Sequence, residues 1–205
     1  MLGNKNSWWA FKEVLSSKFC NEVIKHASNK KEGLGYTGGM EKLGPLNEEQ
    51  KKNLFKIRNS KVAWLDDPWI HMHLMGYIAQ ANKEAGWNYE YSGVEHTQFT
   101  IYNTNQYYRW HKDEWDKSYE DLNNPRKHNK VRKLSAVVSL NTDYVGGDLQ
   151  FQYRDAETPQ NEICEIMRTP GSVVVFPSYV WHQVLPVTQG TRYSLVLWTV
   201  GEPWR

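Results

Sequence analysis

The chain has 205 residues, with 25 Lys and Arg against 23 Asp and Glu and a formal net charge of +2 at pH 7. This length suits one substantial hydrophobic core, and the small charge does not favour a nucleic-acid or membrane-surface protein. Because the sequence has neither a membrane-spanning apolar run nor a signal-peptide pattern, we expect a soluble, cytoplasmic protein.

The first hundred residues carry mainly helical signals. Apolar residues recur at helical spacing from Phe11 to Ile24, and Ser16 or Ser17 is a candidate cap for a second helical segment. Residues 31–47 are rich in glycine, lysine and proline and are predicted to be a loop. The remaining predicted elements of this half are a short helix at 48–57, a strand at 60–65, and a helix at 68–85 with proline in its first turn.

The second half changes to short β-rich runs separated by glycine and proline turns. The predicted strands lie at 97–102, 134–140, 147–153, 163–168, 172–176, 180–186 and 192–200. Helices followed by antiparallel strands predict an α+β fold, a β-sandwich or jelly roll buttressed by N-terminal helices. We expect a single domain over 1–205, with 1–96 mainly as helical support and 97–200 as the jelly-roll catalytic core.

His111 and Asp113 form a His-x-Asp triplet, and His182 lies about seventy residues further on. The triplet alone is a weak signal, because a surface His–Asp pair and a hydrogen-bonded core histidine are ordinary alternatives. In a strand, however, positions i and i+2 point to the same side, so both side chains of the triplet can face one ion. Two imidazoles and one carboxylate on one octahedral face are the ligand set of non-heme Fe(II) oxygenases.

Arg192 begins an apolar strand in which alternation puts Arg192, Ser194, Val196 and Trp198 on one face. An arginine that faces a barrel interior is costly unless it is paired, and no acidic residue of the same strand can pair with it. A bound carboxylate would satisfy the guanidinium through two parallel N–H bonds. Arg192 therefore indicates an anionic cosubstrate.

Several segments resemble those of prolyl 4-hydroxylase-like Fe(II)/2-oxoglutarate dioxygenases, in the order that the family has them. They are the Tyr…Tyr-x-x-His-x-Asp motif at 102–113, the Gly-Gly-acidic-Leu turn at 145–149, the distal histidine strand at 170–184 and the final strand at 192–198. Two positions depart from the family pattern. Asn105 replaces a frequent glycine, and Ser139 stands where some relatives have a cosubstrate-binding tyrosine.

The resemblance implies a double-stranded β-helix and a role for each matching residue. The implied Fe(II) ligands are His111, Asp113 and His182. The implied 2-oxoglutarate-binding residues are Arg192, Tyr102 and Ser194. The residues implied to line the substrate side are Tyr108, Arg132 and Trp198, for which plain packing or a solvated charge is the alternative. The metal centre itself would carry the chemistry, with no separate acid or base, and ascorbate is a further candidate cofactor besides O2.

Residues 114–133 are the least regular stretch of the second half, polar and charged. Loops of this length in a compact domain are usually functional or disordered. Because the segment directly follows the His-x-Asp triplet, we expect a mobile lid over the site.

The implied activity is hydroxylation of a prolyl residue in a protein or peptide, coupled to conversion of 2-oxoglutarate to succinate and CO2. A free amino acid or other small molecule is the alternative substrate. Nucleic-acid demethylation is disfavoured, because residues 193–196 lack the Asn-x-Thr that follows the arginine in that branch. A non-catalytic jelly-roll module and a zinc hydrolase are further alternatives, but a zinc hydrolase would have no need of Arg192.

Overall fold

The computed structural model describes residues 7–37, 44–122, 124, 127–153 and 160–204. The described helices are α1 Ser17–Ala27, α2 Glu48–Ile57 and α3 Pro68–Glu84, with a 3-10 helix at Glu165–Arg168. The described strands are β1 Trp9–Phe11, β2 Gly33–Leu34, β3 Arg58–Asn59, β4 Lys61–Leu65, β5 Gly93–Val94, β6 Thr97–Tyr102, β7 Tyr107–His111, β8 Val131–Ser139, β9 Tyr144–Gly146, β10 Leu149–Tyr153, β11 Gln160–Ile163, β12 Val173–Pro177, β13 His182–Val184, β14 Val187–Gly190 and β15 Arg192–Gly201. Within these ranges, no helix combines the length and the apolar character that a membrane span requires.

Two antiparallel sheets form the body of the molecule. The larger sheet has the order β1-β12-β8-β15-β6-β4-β2, and β5 also pairs with β15. The smaller sheet has the order β11-β10-β13-β7-β3, and β9 pairs separately with β14. Apart from β10 and β11, neighbouring strands within each sheet are not consecutive in the chain, as the predicted jelly roll requires. The fold class expected from the sequence, a double-stranded β-helix with helical support, is confirmed.

The outer face of the larger sheet packs against α1 and α3. Ile70, Leu74 and Ile78 of α3 are fully buried and share one core with Leu195 and Leu197 of β15. The intervening residues of β15 point to the other side of the sheet, as strand alternation requires. The helices therefore seal one face of β15 and leave its opposite face for a site.

A second core fills the space between the two sheets. Val174 and Phe176 of β12 meet Phe151 of β10 and Val184 of β13 there, and all four are buried. Phe151 and Phe176 pack edge-on, with ring centroids 5.0 Å apart. This aromatic and β-branched packing holds the smaller sheet, which carries the two histidines of interest, against the larger one.

Two predicted elements are corrected. The helical pattern that begins at Phe11 is wrong at its start, because Trp9–Phe11 is β1, paired with β12, and α1 begins only at Ser17. Ser16 caps α1 as one of the two expected serines, since its hydroxyl accepts the N–H of Phe19 at 3.1 Å. The apolar residues of β1 and of α1 pack on the same core, so their spacing alone does not distinguish a strand from a helix.

The predicted strand at 163–168 is also wrong, because β11 ends at Ile163 and a 3-10 helix follows. There the N–H of Met167 donates to the carbonyl of Cys164 at 3.0 Å, and Met167 is buried. The strand β7 and the two-residue strands β2, β3 and β5 were not predicted, since they are short and partly polar. Cys20 and Cys164 are free and buried.

Candidate metal centre and cavity

The smaller sheet brings the three predicted metal ligands together. His111 ends β7 and His182 begins β13, and these two residues are directly paired across the antiparallel strands. Asp113 lies just beyond β7, where its backbone N–H donates to the carbonyl of Ser178 at 2.9 Å. The cross-strand register thus places in one spot residues that are about seventy positions apart.

The potential ligand atoms face each other at short range. Nε2 of His111 lies 3.7 Å from Oδ1 of Asp113, and Nε2 of His182 lies 3.6 Å from Oδ2 of the same carboxylate. One donor atom from each residue can be chosen so that all lie within 4.8 Å of one another. Donors bound about 2.1 Å from one transition-metal ion are about 3 Å apart, so a small contraction would enclose an ion.

Backbone carbonyls fix the tautomer of both rings. Nδ1 of His111 lies 2.8 Å from the carbonyl of Arg109, and Nδ1 of His182 lies 2.9 Å from the carbonyl of Val180. Because a carbonyl only accepts, each Nδ1 carries the hydrogen and each Nε2 keeps a free lone pair directed at Asp113. This carbonyl–imidazole arrangement is the usual support of a metal-binding histidine.

The charge states of the site suit a cation. Burial lowers the pKa of His111 well below its ordinary value, helped by the charge of His182, so the His111 ring is neutral near pH 7. Burial alone would raise the pKa of Asp113, but His182, His111 and Arg132 outweigh it and lower that pKa to about 2. A neutral imidazole and an ionised carboxylate are the forms that bind metals. Oδ2 of Asp113 is buried without a hydrogen-bond partner among the described residues, as expected of an oxygen that binds a metal ion.

Arg192 lies on the opposite wall, at the start of β15, and is only 2% exposed. Its Nη1 donates to the hydroxyl of Ser194 at 3.0 Å, and its Nη2 has no partner among the described residues. The Arg192 guanidinium carbon lies 5.5 Å from the ring centroid of Tyr102, its cross-strand neighbour. The structure thus presents a buried cation with unused N–H groups, as an anionic ligand would require.

The glycine turn before β10 makes room for this arginine. Gly147 has a φ of +66°, and a Cβ there would lie 2.9 Å from Cγ2 of Val187 and 3.0 Å from Cδ of Arg192. Asn105, at the family's frequent glycine position, also has a positive φ of 66°. Asparagine tolerates this left-handed conformation better than most other residues, which explains why the departure is compatible with the turn.

All nine predicted site residues line one cavity of about 310 Å³. The residues are Tyr102, Tyr108, His111, Asp113, Arg132, His182, Arg192, Ser194 and Trp198. The face of β15 predicted from alternation is therefore confirmed as a wall of this cavity. The ring of Tyr108 stacks on that of His111, with centroids 3.4 Å apart, and burial raises the pKa of Tyr108 to about 12.

Glu95 is a cavity residue that the sequence reasoning missed. Its carboxylate, 3% exposed, accepts from Nε and Nη2 of Arg132, from Nζ of Lys127 at 2.9 Å and from the hydroxyl of Tyr119 at 2.7 Å. Lys127, Lys130, Arg132 and Lys133 lie close together in sequence, but nothing local identified an acid that would pair with them. Arg132 is therefore a paired and largely buried side chain in this structure and is not a solvated charge.

The described part of 114–133 folds against the cavity through Glu95. Tyr119 is tied back to the same segment, since its N–H donates to the carbonyl of Lys130 and its carbonyl accepts the N–H of Asn129, both at 2.9 Å. These contacts form a cover over one side of the cavity. The mobility of this lid stays a prediction.

A family model for the 2OG-Fe(II) oxygenase superfamily matches residues 97–200. The chain belongs to this superfamily. A PKHD-type hydroxylase from Synechococcus sp. (strain CC9605) is 36% identical over 93 residues, which are 44% of this chain and 35% of that relative. The chain thus spans only about a third of the length of that curated relative.

Solved structures share the fold of the oxygenase. A Pseudomonas putida prolyl-4-hydroxylase superposes with a TM-score of 0.65 at 19% identity, covering 97% of this chain and 94% of that one. The viral collagen prolyl hydroxylase of Paramecium Bursaria Chlorella virus-1 gives 0.63 at 16% identity, covering 96% and 97%. A Trichoplax adhaerens prolyl hydroxylase, in complex with a hypoxia inducible factor peptide fragment, gives 0.57 at 17% identity, covering 95% and 83%. The chain is therefore a member of the 2OG-Fe(II) oxygenase superfamily with the fold of these prolyl hydroxylases.

Proposed function

We propose that this dioxygenase hydroxylates a prolyl residue of a protein or peptide and couples that reaction to the conversion of 2-oxoglutarate and O2 to succinate and CO2. The observation that carries the proposal is that one cavity holds both a His–Asp–His cluster and the buried Arg192, whose Nη2 has no hydrogen-bond partner among the described residues. In this proposal His111, Asp113 and His182 hold Fe(II), which supplies the oxidising chemistry when bound.

The cosubstrate would be bound by the wall opposite the histidines. Arg192 would pair with the distal carboxylate of 2-oxoglutarate, while Ser194 orients the guanidinium through its bond to Nη1. The phenol of Tyr102, buried beside Arg192, would be a further hydrogen-bond donor to the cosubstrate. Burial of these groups excludes water and strengthens each charge-assisted bond.

A peptide substrate suits the mouth of the cavity. Trp64 and Trp115 line the cavity and remain 50% and 39% exposed, so their rings are available to an incoming chain. Trp64 lies 6.3 Å from Trp198, between centroids, which extends the aromatic surface inward. Aromatic-lined grooves are the usual receptors of proline-rich segments.

We infer that Tyr108, Arg132 and Trp198 form the substrate side of the cavity. We also infer that residues 1–205 act as one catalytic domain.

The proposal is tested by adding Fe(II) and 2-oxoglutarate anaerobically and recording the visible charge-transfer band, then admitting O2 and measuring succinate with and without proline peptides. A band that needs both additions and succinate that rises with a peptide support the proposal. Succinate stimulated by free amino acids but by no peptide would favour the small-molecule alternative. Absence of both metal retention and band would favour a non-catalytic module. Omitting ascorbate in parallel tests whether this reductant sustains turnover.

A further inference from the structure

Arg58 is a second buried arginine in the cavity wall, which sequence reasoning did not single out. It begins β3, is 5% exposed, and lines the same cavity as Arg192. Arg58 pairs in register with Tyr108 on the smaller sheet, whereas Arg192 pairs with Tyr102 on the larger one. The two arginines therefore enter the cavity from different sheets.

The contacts that Arg58 makes with described residues are all with neutral groups. Its Nε donates to the hydroxyl of Ser60 at 2.8 Å, and its Nη1 donates to the carbonyl of Tyr36 at 3.3 Å. Its guanidinium carbon lies 4.6 Å from the ring centroid of Tyr108. Nη2 is buried and has no hydrogen-bond partner among the described residues. These contacts orient the guanidinium, and none of the described residues supplies a negative charge to it.

The acids that line the cavity are engaged elsewhere. Among the described lining residues the carboxylates are those of Glu95 and Asp113. Glu95 is paired with Arg132 and Lys127, and Asp113 lies between the two histidines. No ion pair of the described residues includes Arg58. A buried charge without a counter-charge is costly, so a counter-charge from outside the described protein would be strongly favoured.

Because Arg192 is available for the cosubstrate, the substrate is the remaining source of that charge. Arg58 lies over Tyr108, and Tyr108 in turn stacks on His111, so the guanidinium is one ring away from the proposed metal ligand. The cosubstrate carboxylate is already matched to Arg192 on the opposite sheet. In a cavity of about 310 Å³ that must also hold 2-oxoglutarate, a compact planar carboxylate fits the planar guanidinium better than a bulkier anion.

We propose that Arg58 binds a carboxylate of the primary substrate, so that the preferred substrate is a peptide with a carboxylate close to the residue that is oxidised. This proposal rests on the proposed function. The carboxylate is either an Asp or Glu side chain or the C-terminus of the peptide.

The test uses blocked peptides with one central proline, matched in length, that carry Glu, Gln or Lys next to it. A second pair compares a free with an amidated C-terminus directly after the proline. Binding is measured anaerobically by calorimetry on the protein loaded with Fe(II) and 2-oxoglutarate, for wild type, Arg58→Lys, Arg58→Gln and the control Arg168→Gln. Arg168 is half exposed and paired with Asp148 outside the cavity.

We expect wild type and Arg168→Gln to bind one of the acidic peptides at least about tenfold more tightly than its neutral counterpart. Arg58→Gln should abolish this preference and Arg58→Lys should retain part of it, with the charge-transfer band of 2-oxoglutarate unchanged in both. If the Glu peptide binds more tightly than the Gln peptide, the carboxylate is a side chain. If the free C-terminus binds more tightly than the amidated one, the carboxylate is the C-terminus.

Other outcomes overturn the proposal. Equal binding of acidic and neutral peptides by wild type would overturn it. The proposed function would remain intact in that case if the charge-transfer band of 2-oxoglutarate forms. Loss of the band in Arg58→Gln would mean that Arg58 serves the cosubstrate. Glu41 lies outside the described residues, so the variant Glu41→Gln is tested as well. If only this variant prefers acidic over neutral peptides, Glu41 itself supplies the counter-charge of Arg58. Absence of the band in wild type would instead overturn the proposed function.

Discussion

Glu95 and Arg132 form a two-point ion pair inside the cavity wall, with Nε 2.7 Å from Oε1 and Nη2 3.0 Å from Oε2. The remaining guanidinium nitrogen, Nη1, donates to the backbone carbonyl of Asp113 at 3.3 Å. The Arg132 guanidinium carbon also lies 3.8 Å from the ring centroid of Trp198. One buried acid thus links the cover of the cavity, the β8 strand and the loop that carries a proposed metal ligand.

Replacing Glu95 by Gln should lower the free energy of unfolding by about 3 kcal/mol, because the largely buried Arg132 and the partly buried Lys127 lose their shared counter-charge. Urea unfolding followed by fluorescence measures the change. Glu22→Gln, at an exposed helix pair with Lys18, is the matched control and should change stability by less than about 0.5 kcal/mol. A loss of under about 1 kcal/mol for Glu95→Gln would contradict the role given to this ion cluster.

The same carboxylate predicts acid sensitivity. Burial by itself would raise the pKa of Glu95, but Arg132 and Lys127 outweigh it and lower that pKa from 4.5 to about 2. The stabilisation is therefore fully present above about pH 4.5 and is lost as the pH falls towards 2. The shift corresponds to roughly 3 kcal/mol. Unfolding free energies measured between pH 7 and 2.5 should fall less steeply in Glu95→Gln than in wild type, and parallel curves would count against this account.

His111→Ala should abolish turnover while the fold persists, because it removes one of the three proposed ligands and leaves the sheet pairing of β7 intact. We expect at least about a hundredfold loss of succinate formation and weakened Mn(II) binding by electron paramagnetic resonance. Circular dichroism checks the fold. His73→Ala, on the exposed side of α3, is the control. Normal turnover by His111→Ala would rule out the metal assignment.

Arg192→Met should separate stability from function. Removing a buried guanidinium that has no counter-charge among the described residues should leave the protein without cosubstrate as stable as wild type or more stable, by about 1–4 kcal/mol. The KM for 2-oxoglutarate should rise at least about tenfold, since the charge-assisted bonds are lost. Thermal unfolding with and without 2-oxoglutarate measures both effects. A variant that is still stabilised by 2-oxoglutarate as strongly as wild type would show that another residue binds the cosubstrate.

Gly147→Ala should weaken 2-oxoglutarate binding through Arg192. The added Cβ would press on the side chains of Val187 and Arg192, and the φ of +66° is unfavourable for alanine. We expect destabilisation of about 1–2 kcal/mol and a higher KM for 2-oxoglutarate. Gly33→Ala is the matched control, because nothing lies within 4 Å of a Cβ at that position. Equal behaviour of the two variants would mean that the turn adapts at little cost.

Much of the fold followed from local patterns. The period-2 alternation of β15 identified which of its residues face the cavity, and the proline start predicted α3. Prediction failed where the pattern was short or ambiguous, as at Phe11 and in the 3-10 helix after Ile163. There the state of a few residues depends on which neighbour they pack against, and a three- or four-residue window holds too little periodicity to decide.

The sequence by itself determined the chemistry of the proposed metal site, because His111, Asp113, His182 and Arg192 are recognisable by residue type, spacing and strand alternation. Only the tertiary structure revealed the ion pairs of Glu95 and the surroundings of Arg58. The partners of Glu95 lie 24 to 37 positions away. The environment of Arg58 depends on a strand pairing with Tyr108 that no local sequence pattern predicts. Whether a buried charge is compensated is a property of three-dimensional proximity, and Coulomb interactions act through space rather than along the chain.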